Sequence, residues 1–508
     1  MTGVQDGQTV GALQRLDGQV PTRFYWQLTL LATIGGFLFG YDTANIGAAL
    51  PVLPYHLGDL ASGYLVAGAS LGAAAGALAA GPLTDRFGRR SLLIVDALIY
   101  AIGAILSAVT PNVGVLLFAR TLIGLAIGAD SAIATAYIAE YAPRTRRGAL
   151  SMLQQWMITV GILFSYLVAL VIFRIWPGSA TSADWRWIFG LGAVPAIIGV
   201  VLRFEMPESP RWLLRKEKWE SAQHAFEKLN TKVSIDELKE TGRQLEQAEK
   251  RDEHQRARAW TPGVRRALGI VCVFFIFQQI TGINVPLYYG PKLLGSYFQS
   301  GNSTVQQTIA GVEVTLIMTA VNVAATYFAF RLIDKAGRRK LAMGGFTGMA
   351  VSAVIAAVGI GLMTATPRLV VAMIGLDAFI ASFAIGVGGT GWLIQGEYFP
   401  TVVRGQAAAI GATVDWLANF ALIEAFPAWQ RNIGLSWVLV CFAALALIAV
   451  MFVMLYVPET KGLSVEEITE MFEQQAAEHG VASPASPLKI AHPRESFGGG
   501  PRHRPRVT

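Results

Sequence analysis

Asp42 lies in the first long apolar run of this chain and Arg120 in the fourth. A charge in hydrocarbon costs about 3 kcal/mol or more, so it is retained where it pairs, lines a cavity or moves a proton. A carboxylate balanced by a guanidinium can bind and release a proton, and doing so breaks or remakes the pair. Asp42 and Arg120 are therefore read as a proton-coupling pair. Asp130 and Asp415, also inside apolar runs, are further acidic candidates. Asp96 and Asp377 lie nearer the expected helix ends and are read as solvated.

A second chemistry is written in amides. The segment Gln278-Gln279-Ile280-Thr281-Gly282-Ile283-Asn284 is followed by Tyr288 and Tyr289. Amides donate and accept at once, which suits a polyhydroxylated ligand whose hydroxyls do the same. Gly282 and Pro286 should break the helix here, and broken helices line binding sites in transporters. Gln154, Gln155, Asn322, Trp392 and Asn419 can join from other runs, the indole offering a sugar a flat apolar face. Asp415 would suit a donor-rich or cationic ligand, or stay protonated. No nucleophile–base constellation is visible, so no enzyme is expected. Cys272 and Cys441 lie in apolar runs with no histidine nearby, so neither a metal site nor a cofactor is expected.

The elements that must position these residues are membrane helices. The chain has 508 residues, 53% hydrophobic and 15% charged, against about 25% charged in a soluble domain. Runs long enough to span, about 20 residues, fall near 26–48, 61–83, 90–109, 113–141, 149–173, 185–205, 266–298, 307–332, 340–364, 368–399, 405–429 and 433–457. Helix two carries a stripe of small residues, Gly68, Gly72, Gly76 and Ala80, suited to close packing. The net charge of +7 gathers beside the runs and in the tails, which points to membrane orientation and away from nucleic acid. Arg and Lys crowd the loops after the second, fourth and eighth runs. These loops and both termini are therefore expected in the cytoplasm. No cleavable leader is expected, because the first run continues too far for one. Residues 1–25 read as a tail, 26–205 and 263–460 as two helical bundles, and 206–262 as a cytoplasmic linker of amphipathic helices. Residues 461–508 read as a largely disordered cytoplasmic tail. Oligomeric state is not written in the sequence.

The two bundles are copies. Asp85-Arg86-Phe87-Gly88-Arg89-Arg90 returns about 250 residues later as Asp334-Lys335-Ala336-Gly337-Arg338-Arg339. Glu140-Tyr141-Ala142-Pro143 with Arg147 returns as Glu397-Tyr398-Phe399-Pro400 with Arg404, and Pro207-Glu208-Ser209 as Pro458-Glu459-Thr460. A duplicated, parallel pair of membrane bundles is an alternating-access architecture.

On these phrases, together with Gly40-Tyr41-Asp42, Pro207 to Arg211 and Gln278 to Tyr289, residues 25–475 resemble the sugar porters of the major facilitator superfamily. The resemblance implies an all-α polytopic membrane protein with 12 transmembrane helices in two six-helix bundles. It implies sugar contacts at Gln155, Gln278, Gln279, Asn284, Asn322 and Trp392, to which the polar reading adds Tyr288, Asp415 and Asn419, and proton coupling by Asp42 and Arg120. Facilitators of the glucose-transporter type carry Asn at the Asp42 position, so this chain looks like a proton symporter with sugar, protons and the bilayer as partners. It also implies a cytoplasmic gate of Asp85, Arg89, Glu140, Arg147, Glu208, Asp334, Arg338, Glu397 and Arg404. There Glu140 and Arg147 meet their counterparts Glu397 and Arg404 across the halves when the protein faces outward. Three positions differ from the family. Gly386 to Gly391 replace its prolines, which predicts a flexible bend. Asp415 replaces an Asn or Gln. Asp130 matches an acid that contacts substrate in proton-coupled phosphate transporters. The alternatives are a uniporter or a carrier of an organic ion or phosphate on the same fold, and a non-transporting sugar sensor.

Overall fold

Val95, Leu98, Ile102 and Ile105 recur at three- and four-residue spacing and are exposed, while Leu93, Ala97, Tyr100 and Ala104 on the other face are buried. An apolar exposed face is a lipid-facing one, and this inversion recurs along the chain. The computed structural model describes residues 23–141, 147–256, 258–298, 303–463 and 465–478. Among them there are helices and no strand.

The N-terminal half consists of α1 (Arg23–Ala32), α2 (Ile34–Ala49), α3 (Asp59–Phe87), α4 (Arg89–Val109), α5 (Val113–Tyr141), α6 (Arg147–Ile175), α7 (Trp185–Gly190) and α8 (Ala193–Arg203). Three helices follow on the charged side: α9 (Pro210–Arg215), α10 (Trp219–Lys228) and α11 (Ile235–Arg256). The C-terminal half consists of α12 (Pro262–Ile280), α13 (Asn284–Phe298), α14 (Thr304–Ala336), α15 (Arg338–Leu362), α16 (Ala365–Gly386), α17 (Thr390–Glu397), α18 (Thr401–Ile433) and α19 (Leu435–Tyr456), and α20 (Val465–Glu478) closes the described chain. Eleven stretches among the described residues are long and apolar enough to cross a membrane. The first expected span is not among them; it is described as helices of 10 and 16 residues on either side of Thr33.

The small-residue stripe of α3 does what its spacing predicts. A Cβ on Gly72 would lie 2.1 Å from the Thr121 carbonyl oxygen of α5, and one on Gly124 of α5 would lie 1.9 Å from that of Ala69. Only glycine permits this approach. The linker helices bury Trp212, Leu213, Phe226 and Leu238 against Leu93, Tyr137 and Ile138 of the N-terminal half.

The sixth run falls within one membrane-crossing stretch, Pro177–Arg203, with a turn at Leu191–Gly192 between α7 and α8. Ahead of the stretch expected to be disordered, α20 buries Ile468, Phe472 and Ala476 on one face. Phe472 meets Tyr398 at a ring-centroid distance of 4.9 Å, and Glu473 accepts hydrogen bonds from Thr261 and Gly263 at the start of α12. Residues 479–508 lie outside the described residues.

Candidate functional site

The break in helix seven falls where the glycine sits. α12 ends at Ile280 and α13 begins at Asn284, with Gly282 at φ +92°. That backbone conformation is open to glycine and strained for residues with a Cβ. Unwinding here turns the amides inward and joins them. Gln279 Nε2 donates to Asp415 Oδ1 at 2.7 Å. Asn284 Nδ2 donates to Gln279 Oε1 at 2.9 Å and to Asn419 Oδ1 at 3.0 Å. Asn419 Nδ2 donates to Ser70 Oγ at 2.8 Å, crossing from α18 to α3 of the other half. Five side chains thus form one buried polar chain between the halves.

Beside it are polar atoms with no partner among the described residues: Gln278 Oε1, Gln395 Oε1 and Trp416 Nε1. Buried polar atoms are normally satisfied, so these are sites for a ligand or water to occupy. Trp416 meets Phe39 of the other half edge-on at 5.1 Å, and Trp392 packs 5.0 Å from Phe275.

The acid–base pair lies beside this chain. Arg120 Nη1 donates to Asp42 Oδ1, and both side chains are almost fully buried. Arg120 Nε donates to the Leu65 carbonyl at 3.2 Å, while its Nη2 has no partner. Tyr288 is buried on α13, and a Cβ on Gly47 of α2 would lie 2.8 Å from its carbonyl oxygen. The helix that opens with Asn284 therefore packs against the helix that carries Asp42.

Not every candidate joins. Gln155 is partly buried on α6. Asn322 is buried on α14, but its amide oxygen accepts from Thr326 one turn on, at 3.4 Å. Asp130 does not face the amides. Arg203 Nη2 donates to Asp130 Oδ1 at 2.6 Å, and Arg203 Nη1 to Asp96 Oδ1 at 2.8 Å. Asp96, expected to be solvated, is only 4% exposed, because the inward face of α4 turns it onto Arg203. The glycines of helix ten do interrupt it, between Gly386 and Thr390, but as packing positions. None has a positive φ among the described residues. A Cβ on Gly386 would lie 2.5 Å from Gly345 Cα, and one on Gly391 would lie 2.4 Å from Gln278 Oε1.

The repeated charged phrases form two matching clusters. Glu208 Oε1 accepts from the backbone N–H groups of Arg89 (2.9 Å) and Arg90 (3.1 Å), at the start of α4. Glu459 accepts from those of Arg338 (3.0 Å) and Arg339 (3.2 Å), at the start of α15. A carboxylate at a helix N-terminus satisfies free N–H groups and opposes the dipole. Arg89 Nε donates to Glu140 at 3.1 Å and Arg338 Nη2 to Glu397 at 2.8 Å. The hydroxyls of Ser209 and Thr460 donate to the other oxygen of those same glutamates. Asp85 accepts from Arg89 and Arg215.

These bonds each stay within one half, which differs from the expected pairing of Glu140 and Arg147 with Glu397 and Arg404. Arg404 Nε donates to the Phe399 carbonyl of its own half, at 3.1 Å. The side chains of Arg147 and Asp334 lie outside the described residues. The physical reason is which end of the molecule is closed. The halves meet at the opposite end, through Asp59–Arg431 at 2.5 Å, Arg174–Glu313, and Tyr166 Oη donating to the Leu287 carbonyl at 2.6 Å.

Sequence reasoning missed Ser70, Gln395 and Trp416. Ser70 was legible as the polar residue inside the small stripe of helix two.

Comparison with known proteins adds four findings. Residues 28–472 match the family profile described as "Sugar (and other) transporter". The arabinose-proton symporter of Bacillus subtilis is 34% identical over 455 residues, 88% of this chain and 94% of its own length. The D-xylose-proton symporter of Escherichia coli is 31% identical over 512 aligned positions, 91% of this chain and 98% of its own length. A solved structure of an E. coli xylose transporter in a partially occluded inward open conformation superposes with a TM-score of 0.73. It is 28% identical and covers 87% of this chain and 100% of the other.

Proposed function

This chain belongs to the sugar (and other) transporter family, and on that footing we propose that it imports a sugar together with protons by alternating access. The observation that carries the reading is the polar chain from Asp415 to Ser70. It crosses both halves, it is edged by unpartnered buried polar atoms, and α13, which opens with Asn284, packs against the helix that carries Asp42.

Sugar hydroxyls replace the amide–amide bonds. Gln279, Asn284 and Asn419 turn from each other to the ligand, Gln278 Oε1 and Trp416 Nε1 gain their first partners, and Trp392 underlies the ring. Gln155 and Asn322 face the ligand from α6 and α14 once the halves close on it. Asp415 accepts from a sugar hydroxyl as it now accepts from Gln279, and so needs no cationic ligand. A phosphate would need a free cation, whereas Arg120 and Arg203 are each held by carboxylates.

The coupling works through charge. Ionised Asp42 holds Arg120. Protonated Asp42 releases it, and the freed guanidinium biases which half-to-half arrangement is stable. The arginine-rich loops face the cytoplasm, as do both termini. The structure is closed at the far end and is then the inward-facing state. When the molecule faces outward, the two cytoplasmic clusters meet and exchange partners. Residues 26–205 and 263–460 rock about the central site.

The experiment that tests this is uptake into proteoliposomes under an imposed pH gradient. Asp42→Asn should keep counterflow of labelled sugar yet lose accumulation against a gradient. Accumulation by Asp42→Asn would remove Asp42 from the coupling step, and absence of counterflow by the parent chain would favour a sensor.

A further inference from the structure

The Asp96–Arg203–Asp130 cluster takes no part in the mechanism above, and its charges do not balance. Two carboxylates face one guanidinium. All three side chains are nearly completely buried, Arg203 at 0% and both aspartates at 4% residual exposure. The two ends of one guanidinium hold the two aspartates, Nη1 on Asp96 and Nη2 on Asp130. Yet Asp96 Oδ2 and Asp130 Oδ2 have no donor, and both residues line the same void of about 10 Å³. A buried excess charge is costly, and two carboxylates beside one void lower that cost by sharing a proton. We infer that Asp96 and Asp130 form a second proton-binding site, holding one shared proton that brings the cluster to neutrality.

Its surroundings fit that role. Arg203 also donates to the carbonyls of Leu31 and Ala32, where α1 gives way to α2, and to that of Leu93. A Cβ on Gly35 of α2 would lie 1.5 Å from Asp130 Oδ2. The cluster therefore fastens the break at the start of the helix that carries Asp42. Tyr100 of α4 lines the same void, donates to the Leu38 carbonyl at 3.0 Å and lies within electrostatic reach of Asp42 and Tyr41. Among the described residues, the titratable side chains lining that void are Asp96, Asp130 and Tyr100. α1 presents carbonyls, and α6 presents Gln154, which accepts from Thr135. Asp130 lies ten residues beyond Arg120 on α5, about 15 Å nearer the charged end of the molecule. A proton leaving Asp42 toward that end meets this pair next. Binding it takes the cluster from one net negative charge to none, and release to water restores that charge.

Only the site's place in the transport cycle rests on the proton-coupled reading. The test is infrared difference spectroscopy of the full chain in liposomes after a pH jump, following the C=O stretch of protonated carboxyls. Asp96→Asn and Asp130→Asn each leave one carboxylate facing one guanidinium, so each should fold and each should lose the signal of the same single carboxyl. Asp42→Asn should keep that signal. Full wild-type intensity in both single variants would overturn the proposal, as would disappearance of that signal in Asp42→Asn. If sugar uptake carries no protons while the infrared result stands, the transport reading fails and the site remains.

Discussion

At the residue scale, the amide chain makes each member answerable. Asn284 serves two partners, Gln279 and Asn419. Leaving a buried polar group without a partner costs about 1–3 kcal/mol, roughly 5- to 150-fold in affinity. Asn284→Ala should raise the sugar concentration for half-maximal counterflow by a factor in that range, and unchanged half-saturation would remove it from the site. Arg120 has the opposite sensitivity. Truncating one partner of a buried ion pair costs about 3–5 kcal/mol, so Arg120→Ala should lower the thermal midpoint in detergent more than Asp42→Asn, which keeps an acceptor oxygen. The candidate residues were legible because amides and acids stand out in apolar helices. Asp96 was misread because its position in sequence says how near it lies to a helix end, not which face turns inward or that Arg203, more than a hundred residues on, waits there.

At the scale of the element, the repeated phrases build helix starts. Gly88 at φ +97° and Gly337 at φ +89° bring the backbone against the carboxylates that cap α4 and α15. A Cβ there would lie 2.3 Å from Glu208 Oε2 and 2.5 Å from Glu459 Oε2. Such backbone conformations cost a non-glycine residue about 1–3 kcal/mol. Gly88→Ala and Gly337→Ala should each lower the thermal midpoint, by similar amounts if the two clusters are equivalent. The duplication was visible in the sequence, but the role of the Pro-Glu-Ser and Pro-Glu-Thr phrases was not, since their partners are the N–H groups of a distant helix. Likewise the break at Gly282 followed from glycine and proline chemistry. The α20 helix had a marker too: Ile468, Met471, Phe472 and Ala476 recur on one face.

At the scale of the molecule, the halves are joined at one end and their charged clusters stand separately at the other. Cysteines placed at Asp59 and Arg431, joined by a short bifunctional thiol reagent, should hold that end closed and stop counterflow until the link is cleaved. Persisting counterflow would mean that this end need not open. The central claim is that protons travel with sugar through Asp42. Its most direct measurement is the external pH of a weakly buffered proteoliposome suspension on addition of sugar, with no imposed gradient. The account predicts alkalinisation with the parent chain and none with Asp42→Asn, although both carry labelled sugar. Sugar entry without any pH change in the parent chain would contradict it.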